Sequence, residues 1–272
     1  MRIFLPFIVV LGLVGNLCAQ SVADPRKSSF WTKPQQIGVW LGFGGVMQTG
    51  TLITDACDCS FENGGGMATT VGLSYENELM RNVVWGAGFE YKYISMDARY
   101  QEIESMEINK TASGIIANIN VPFRHNAAFT NSSIGILPYI KVFPFDTRLF
   151  IRGGLNIGFT LSSTLEHTKE LLMRSTVLSS GETVLISLDP TKDPRVVSEE
   201  KAIIQTGDLI DPVSTFLGAH TGFGVEFRVG KRMMLGGTML YVIPFSGFSS
   251  YPNSNFSVNC LQGMIEMRIA LD

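Results

Sequence analysis

Eight segments of this chain alternate apolar and polar side chains one by one, and this pattern restricts the fold more than any other feature. Between Val83 and Tyr93 the odd positions are apolar or aromatic, whereas the even positions include two glycines, Glu90 and Lys92. A period of two indicates a β-strand with two different faces. Charge on one face and bulky apolar groups on the other are typical both of a soluble sheet on a core and of a barrel in lipid. The connections between the segments favour the barrel.

Short and long connections take turns along the chain. Strands are predicted over residues 36–48, 67–79, 83–95, 133–143, 149–161, 215–229, 233–243 and 257–271. Long connections fall at about 49–66, 96–132, 162–214 and 244–256, and the other three need only a few residues. Short turns on one side and long loops on the other are typical of outer-membrane barrels. The sequence therefore predicts an all-β fold, an eight-stranded antiparallel up-and-down transmembrane β-barrel with four long outer loops and both termini in the periplasm.

Two of the long loops carry local patterns of their own. Glu102 to Val121 partly alternates, which predicts an extra hairpin above the membrane. Glu166 to Arg174 is interpreted as a short helical turn.

The N-terminus has the pattern of a secretory signal peptide. Arg2 precedes an apolar run over residues 3–14 and then small residues around Ala19. Cleavage is predicted after Ala19, with Ala23 as the second choice, so that residues 1–19 are the signal, 20–35 an N-terminal periplasmic segment and 36–272 the barrel domain. A lipoprotein anchor at Cys18 is the disfavoured alternative, because the residues before it are not small.

Charge and hydropathy limit the partners. The net charge is −3 and the basic residues are scattered, which argues against nucleic acid. After the signal no apolar run approaches ~18 residues, so no membrane-spanning helix is predicted. The expected partners are outer-membrane lipid and an extracellular ligand bound through the loops, for a chain that is expected to be a monomer in the outer membrane of a Gram-negative bacterium.

Outward aromatic residues fall at two heights of the predicted barrel, which is typical of the girdles at two membrane interfaces. One set is near the short turns and the other toward the long loops: Tyr75, Trp85, Phe143 and Phe227, and then Tyr91, Tyr93, Phe159 and Tyr241.

The predicted inner face carries four acidic and five basic residues. They are Glu76, Glu90, Lys92, Lys141, Arg152, Glu226, Arg228, Glu266 and Arg268. Eight strands leave an interior that side chains just fill. Near balance of charge indicates a neutralised network rather than an ion-selective pore. Since buried ions are costly unless paired, Arg152, Arg228 and Arg268 are each expected to meet one of the four carboxylates.

Three cysteines follow the predicted signal. Cys57 and Cys59 lack the spacing of a zinc site, and no histidine is near them in sequence. In an oxidising compartment, either one of them pairs with Cys260 and leaves one thiol free, or all three are reduced or heterogeneous. No metal site and no cofactor are predicted.

The histidines do not predict an active site. Only His220 faces the predicted lumen on a strand, and His125 and His167 lie in loops without identifiable partners. The chain has no Gly-x-Ser-x-Gly motif. No catalytic residues are predicted, and the chain is not expected to be an enzyme.

Several stretches together resemble the small outer-membrane β-barrel family of the Bacteroidetes and Chlorobi type. The stretches are residues 57–66, Tyr75-Glu76, 137–144, 151–159 and 222–227. The resemblance implies an OmpA-like transmembrane barrel and no catalytic residues. The chain ends at Asp272, directly after the last predicted strand, so it is expected to lack the peptidoglycan-binding domain of two-domain members.

The sequence favours a structural or surface-interaction role with a filled lumen. The main alternative is a narrow porin or a transporter of small or hydrophobic ligands. A second alternative is a soluble secreted β-sandwich or a lipocalin-like binder.

Overall fold

The computed structural model describes residues 35–54, 59–80, 82–109, 116–144, 147–178, 181, 183–191, 193–229, 232–252 and 254–271. The predicted signal peptide and nearly all of the segment 20–35 lie outside these ranges. Within them the strands are β1 (Gln35–Thr49), β2 (Leu52–Thr54), β3 (Cys59–Phe61), β4 (Gly64–Met80), β5 (Val83–Asn109), β6 (Ile116–Val142), β7 (Leu149–Leu171), β8 (Ser175–Val177), β9 (Thr183–Leu185), β10 (Val196–Ser198), β11 (Lys201–Asp208), β12 (Thr215–Arg228), β13 (Met233–Pro244) and β14 (Ser257–Leu271). Across the same ranges, no helix has the length and apolarity needed to cross a membrane.

Eight of these strands form a closed antiparallel ring in the order β1, β4, β5, β6, β7, β12, β13 and β14. The last strand pairs with the first from Gln35 opposite Leu271 to Thr49 opposite Ser257. Closure leaves no exposed edge in the ring. The predicted all-β fold and its eight antiparallel barrel strands are confirmed.

Side chains alternate between the inside and the outside of the ring, as the period of two requires. In β14 every second residue from Val258 to Ala270 is buried, and the residues between them are exposed or half-buried. Trp40 of β1 is buried, whereas its neighbour Leu41 is 68% exposed and points away from the ring. The exterior of the ring is therefore apolar and uncovered.

Three ring strands continue well beyond the ring and form a wall on its long-loop side. Strands β5 and β6 stay paired from Val83 opposite Val142 to Asn109 opposite Ile116. Strand β7 continues to Leu171 and there pairs with β11 instead of β12. We call this extension the wall and define it as residues 96–109, 116–132, 162–171 and 201–208. It includes the hairpin predicted from the alternation between residues 102 and 121.

The helical turn predicted for residues 166–174 is wrong. Residues 166–171 belong to β7, where Glu166 lies opposite Ala128 of β6 on one side and Thr206 of β11 on the other. Two strand partners satisfy the backbone groups that a helical turn would otherwise bond internally.

A β-bulge in β7 reverses the inward face of that strand. Ser133 of β6 lies opposite Thr160 and the preceding Ser132 lies opposite Ser162, so Leu161 has no opposite residue. Below the bulge even-numbered residues such as Asn156 point inward, and above it odd-numbered residues such as Leu165 do. One extra residue in a strand has this effect because alternation has a period of two.

The interior has an apolar layer toward the long loops, built on aromatic rings. The Phe129 ring centroid is 4.9 Å from that of Phe256 and 5.5 Å from that of Phe248. Phe216 lies 5.6 Å from Phe248 and extends the group. These rings belong to a larger buried cluster that includes Leu52, Phe61, Leu165, Leu209 and Val258.

Trp40 fits inside the ring because glycines face it. Gly72 lies opposite Trp40 on the neighbouring strand. A Cβ on Gly88 would lie 2.6 Å from Cη2 of the Trp40 ring. Glycine is therefore required at Gly88 for close approach of the indole ring.

The aromatic residues that the sequence predicts to face outward lie on the outer face of the ring, with one exception. Trp85, Tyr91, Phe159 and Phe227 are exposed. Phe143 was predicted to point outward, but it is 2% exposed and its ring is 5.7 Å from that of Phe150. The prediction was wrong because odd-numbered residues of β6, such as Tyr139, point inward, and Phe143 follows that strand with the same parity.

Candidate functional site

Charged side chains form a compact network inside the ring, toward the short turns. Nζ of Lys141 is 3.1 Å from Oε1 of Glu226 and 3.5 Å from Oε2 of Glu266, and it also contacts Glu76. The guanidinium of Arg268 contacts the same three carboxylates. All five side chains are less than 5% exposed. Two cations thus share three carboxylates in a region that is almost closed to bulk solvent.

Neutral groups complete this network. The Tyr139 hydroxyl donates a hydrogen bond of 2.7 Å to Oε1 of Glu76, and the Ser74 hydroxyl donates one to Glu266. Lys92 and Glu90, two residues apart on β5, form a separate buried pair with an N···O distance of 3.1 Å. Ion pairs with further hydrogen bonds are the arrangement in which burial of charge is tolerated.

The partner of Arg152 differs from the prediction, and Arg228 lies outside the buried network. The Arg152 guanidinium lies 3.6 Å from the ring centroid of Tyr139, and no ion pair joins it to a carboxylate among the residues that the structure describes. It is buried against an aromatic face, which attracts a cation. Arg228 is exposed, because it is the last residue of β12 and lies at the rim. The buried set is then Glu76, Glu90, Glu226 and Glu266 with Lys92, Lys141, Arg152 and Arg268, four acids against four bases.

His220 lies inside the ring on β12, on the inward face that the sequence predicts. It is 2% exposed, and its ring centroid is 6.4 Å from that of Tyr139.

A second polar cluster lies in the wall, within connections that the sequence assigns to long loops. Nδ1 of His125 is 2.9 Å from Nε2 of His167, and Nδ1 of His167 is 3.2 Å from Oγ1 of Thr54. All three side chains are buried. Strands β6, β7 and β2 each supply one member of this chain of hydrogen bonds.

Two carboxylates lie at the His125 end of this series of hydrogen bonds. Nε2 of His125 is 3.9 Å from Oε2 of Glu102 and 3.8 Å from Oε1 of Glu104. Lys169 lies 2.5 Å from the Glu104 carboxylate. The ring of Tyr100 stacks on His125 with centroids 4.7 Å apart and planes 10° apart. We call Glu102, Glu104, His125 and His167 the histidine cluster.

The histidine cluster keeps its imidazoles neutral. Burial, together with the nearby His125 and Lys169, lowers the pKa of His167 from 6.5 to about 4. Burial and Lys169 also lower the pKa of His125, although Glu104 and Glu102 oppose this. Burial, followed by the Glu102 carboxylate, raises the pKa of the Tyr100 hydroxyl. Near pH 7 both imidazole rings of the cluster are therefore neutral.

A cleft gives solvent access to this region. It has a volume of about 370 Å³ and is lined by Cys59, Ser60, Glu62, Asn63, Arg99, Tyr100, Gln101 and Glu102. The Glu102 side chain is half exposed there.

Alternation in the sequence predicts the inward direction of only some residues of the histidine cluster. Even-numbered residues of β5 point inward from Gly86 onward, and Glu102 and Glu104 keep that parity. His125 keeps the inward parity of β6. His167 does not follow from parity, because the bulge at Leu161 reverses the inward face of β7.

The predicted disulfide with Cys260 is absent. Cys260 is a free thiol, 3% exposed on the inner face of β14, where Val46 and Val242 lie opposite it. Cys59 is in a disulfide of its own, and Cys57 lies outside the described residues. Cys260 is held in the barrel interior and Cys59 is already bonded, so the two sulfurs do not pair.

No family model and no curated protein matches this chain. Solved structures with some likeness include neisserial surface protein A, at 11% identity over 86% of this chain and 97% of that one, with a TM-score of 0.32. Ail, the attachment invasion locus protein of Yersinia pestis, is 9% identical over 87% and 99%, with a TM-score of 0.29. The outer membrane protease OmpT from Escherichia coli is 8% identical over 93% and 99%, with a TM-score of 0.30. The TM-scores of these three structures are all below 0.5, and the fold and the sites described above follow from the geometry of this chain alone.

Proposed function

We propose that this chain is an outer-membrane β-barrel protein of a Gram-negative bacterium with a structural or surface-interaction role. The proposal includes both termini in the periplasm, the wall at the cell surface and no enzymatic activity. Three features support it: an apolar exterior, a filled lumen and a wall that extends beyond the ring.

The exterior of the ring supports the membrane location. Large apolar side chains are exposed on every ring strand, among them Leu41, Leu73, Phe89, Ile136, Ile151, Phe223, Met239 and Ile265. Soluble proteins rarely leave so continuous an apolar surface in water. An outward apolar band around a closed sheet is the arrangement that lipid requires.

The interior carries the argument for a structural rather than a transport role. Lys141 and its three carboxylates are less than 5% exposed, although they lie at the centre of the ring. Residues that line an aqueous pore remain in contact with water. The aromatic layer around Phe129 and Phe256 covers the same ring at its long-loop end. Both layers oppose passage of ions.

Conductance tests this part of the proposal. The chain is refolded in detergent, reconstituted in a planar lipid bilayer and compared with an open porin in the same lipid. We expect no steady conductance. A stable single-channel conductance above the lipid baseline would favour the alternative, a narrow pore or transporter.

A shortened wall tests the surface role. Asp97 and Ala128 lie opposite each other on β5 and β6, so residues 98–127 can be replaced by an Asn-Gly turn. We expect the shortened chain to remain a barrel, while attachment of intact cells to surfaces or to other cells decreases. Unchanged attachment with the shortened chain present at normal levels would contradict the surface role.

A further inference from the structure

We propose that Glu102, Glu104 and His125 form a binding site for a divalent transition-metal ion, with Zn²⁺ as the best-fitting ion. The site lies in the wall and does not depend on whether the barrel conducts. Its geometry, its unpartnered nitrogen and its supporting hydrogen bonds each favour this inference.

The three side chains converge on one point. The two carboxylate oxygens lie 3.9 and 3.8 Å from Nε2 of His125, and the three ligand atoms all lie within 4.8 Å of one another. Two atoms each about 2.1 Å from a tetrahedral Zn²⁺ are roughly 3.4 Å apart. The two nitrogen–oxygen distances would have to shorten by about half an ångström and the oxygen–oxygen distance by at most about 1.4 Å, which the partly exposed glutamates allow.

Nε2 of His125 is buried beside the two carboxylates. Nε2 makes no hydrogen bond with any residue in the described part of the chain, although the side chain is 96% buried. Its distances to the two carboxylates are too long for hydrogen bonds. A buried polar atom normally has a partner, and a cation between the imidazole and the carboxylates supplies one.

The opposite nitrogen of His125 is held by a hydrogen bond of its own. Nδ1 is 2.9 Å from Nε2 of His167, and His167 continues to Thr54. If Nδ1 of His125 carries the ring proton and donates a hydrogen bond to Nε2 of His167, the lone pair on Nε2 of His125 points at the carboxylates. Outer hydrogen bonds of this kind fix the tautomer and orientation of a ligating ring.

The donor set selects the class of ion. Two carboxylates and one imidazole suit Zn²⁺ and its first-row neighbours, whereas Ca²⁺ and Mg²⁺ prefer oxygen ligands. The sulfur of Cys59 also lies near His125 and His167, but it is in a disulfide and is therefore not a thiolate ligand. The half-exposed Glu102 leaves the site open to the cleft, so a fourth position remains for water or another ligand.

Lys169 opposes metal binding and supplies a sharp test. Its Nζ is 2.5 Å from the Glu104 carboxylate and competes for it. Lys169→Met removes that competitor and a positive charge. We expect this variant to bind Zn²⁺ several-fold more tightly than the parent chain.

The experiment measures Zn²⁺ binding to the untagged chain folded in detergent, without reductant, by competition with a chromophoric chelator at pH 7.5. We expect one Zn²⁺ per chain and an affinity at least tenfold lower in Glu102→Gln, Glu104→Gln and His125→Gln. Glu170→Gln is the matched control, because Glu170 lies in the same wall paired with Arg124, 3.5 Å away, and should bind like the parent. Heat-dependent gel mobility shows whether each variant is folded.

Two results would overturn the proposal. One is a folded parent chain that binds less than one Zn²⁺. The other is Zn²⁺ bound equally well by the parent and by Glu102→Gln, which would place the ion elsewhere. Because Glu102 is half exposed, its conversion to Gln should not disturb folding. The Glu102→Gln variant therefore tests the metal site even if His125→Gln fails to fold.

Discussion

His125 and His167 hydrogen-bond to each other across strands β6 and β7, with 2.9 Å between Nδ1 of the first and Nε2 of the second. The β2–β3 hairpin contacts this pair through His167, which hydrogen-bonds to the Thr54 hydroxyl and meets the Phe61 ring edge to face. The hydrogen bond thus joins two histidines that are 42 residues apart in sequence. The contact of Thr54 with His167 ties the hairpin to the wall, and His125 places an imidazole nitrogen beside two carboxylates.

Acidification should loosen the wall. The pKa of His167 is about 4 in the folded chain, compared with 6.5 for an unperturbed histidine. The His167 ring therefore binds a proton more strongly in the unfolded chain. Stability from the neutral ring is complete above about pH 6.5 and is lost progressively as the pH falls toward 4. Hydrogen exchange of residues 52–54 and 162–171, in chelator, should accelerate over this range. His167→Gln should flatten the profile, and an unchanged profile would assign the effect to another group.

Removal of the central lysine should destabilise the barrel. Lys141→Met leaves Glu76, Glu226 and Glu266 with one cation fewer in a buried site. Breaking a buried pair in this way costs about 3 to 5 kcal/mol. Urea unfolding of the lipid-refolded chain measures the change. Arg228→Gln is the control, because Arg228 is exposed, and should cost less than about 1 kcal/mol. Equal costs for the two variants would contradict a buried network centred on Lys141.

A methyl group at Gly88 should clash with Trp40. The added Cβ would be 2.6 Å from Cη2 of the indole ring. Overpacking of this kind costs about 1 to 3 kcal/mol. Gly45→Ala is the control, since nothing lies within 4 Å of a Cβ there. Adding Trp40→Phe to Gly88→Ala should recover part of the loss in a double-mutant cycle, and strict additivity would argue against the contact.

Thiol labelling of intact cells should distinguish the two ends of the barrel. Ile103 in the wall is 70% exposed, and Met80 at the short-turn end of β4 is 59% exposed. A membrane-impermeant maleimide should label Ile103→Cys on intact cells, and Met80→Cys only after the outer membrane is permeabilised. The parent chain gives the background, because Cys260 is buried. Labelling in the reverse order would place the wall in the periplasm.

The ring could be predicted from sequence because the alternation within each strand shows which of its residues face inward. Alternation assigns the inward face of β5 from Gly86 and Glu90 alone, and short turns then force neighbouring strands to pair. The same parity was available for Phe143 and would have placed it inside. Alternation is a local signal, so it also predicted the hairpin between residues 102 and 121.

The histidine cluster depended on features that local patterns do not contain. The bulge at Leu161 is defined by pairing with β6, and one skipped residue moves His167 from the outer to the inner face. The partners of Arg152 depended on packing, since Tyr139 presents a ring face where a carboxylate was expected. Cysteine spacing likewise did not reveal that Cys260 faces the barrel interior, because spacing does not fix connectivity.

Gel mobility of the membrane-extracted chain in SDS, heated against unheated, tests most directly whether these strands form a closed barrel in a membrane. Ring closure and the buried charge network predict a folded form that survives SDS at room temperature and migrates differently after boiling. Recovery of the chain in the soluble periplasmic fraction, with the same mobility before and after heating, would contradict the membrane barrel and favour a soluble binder.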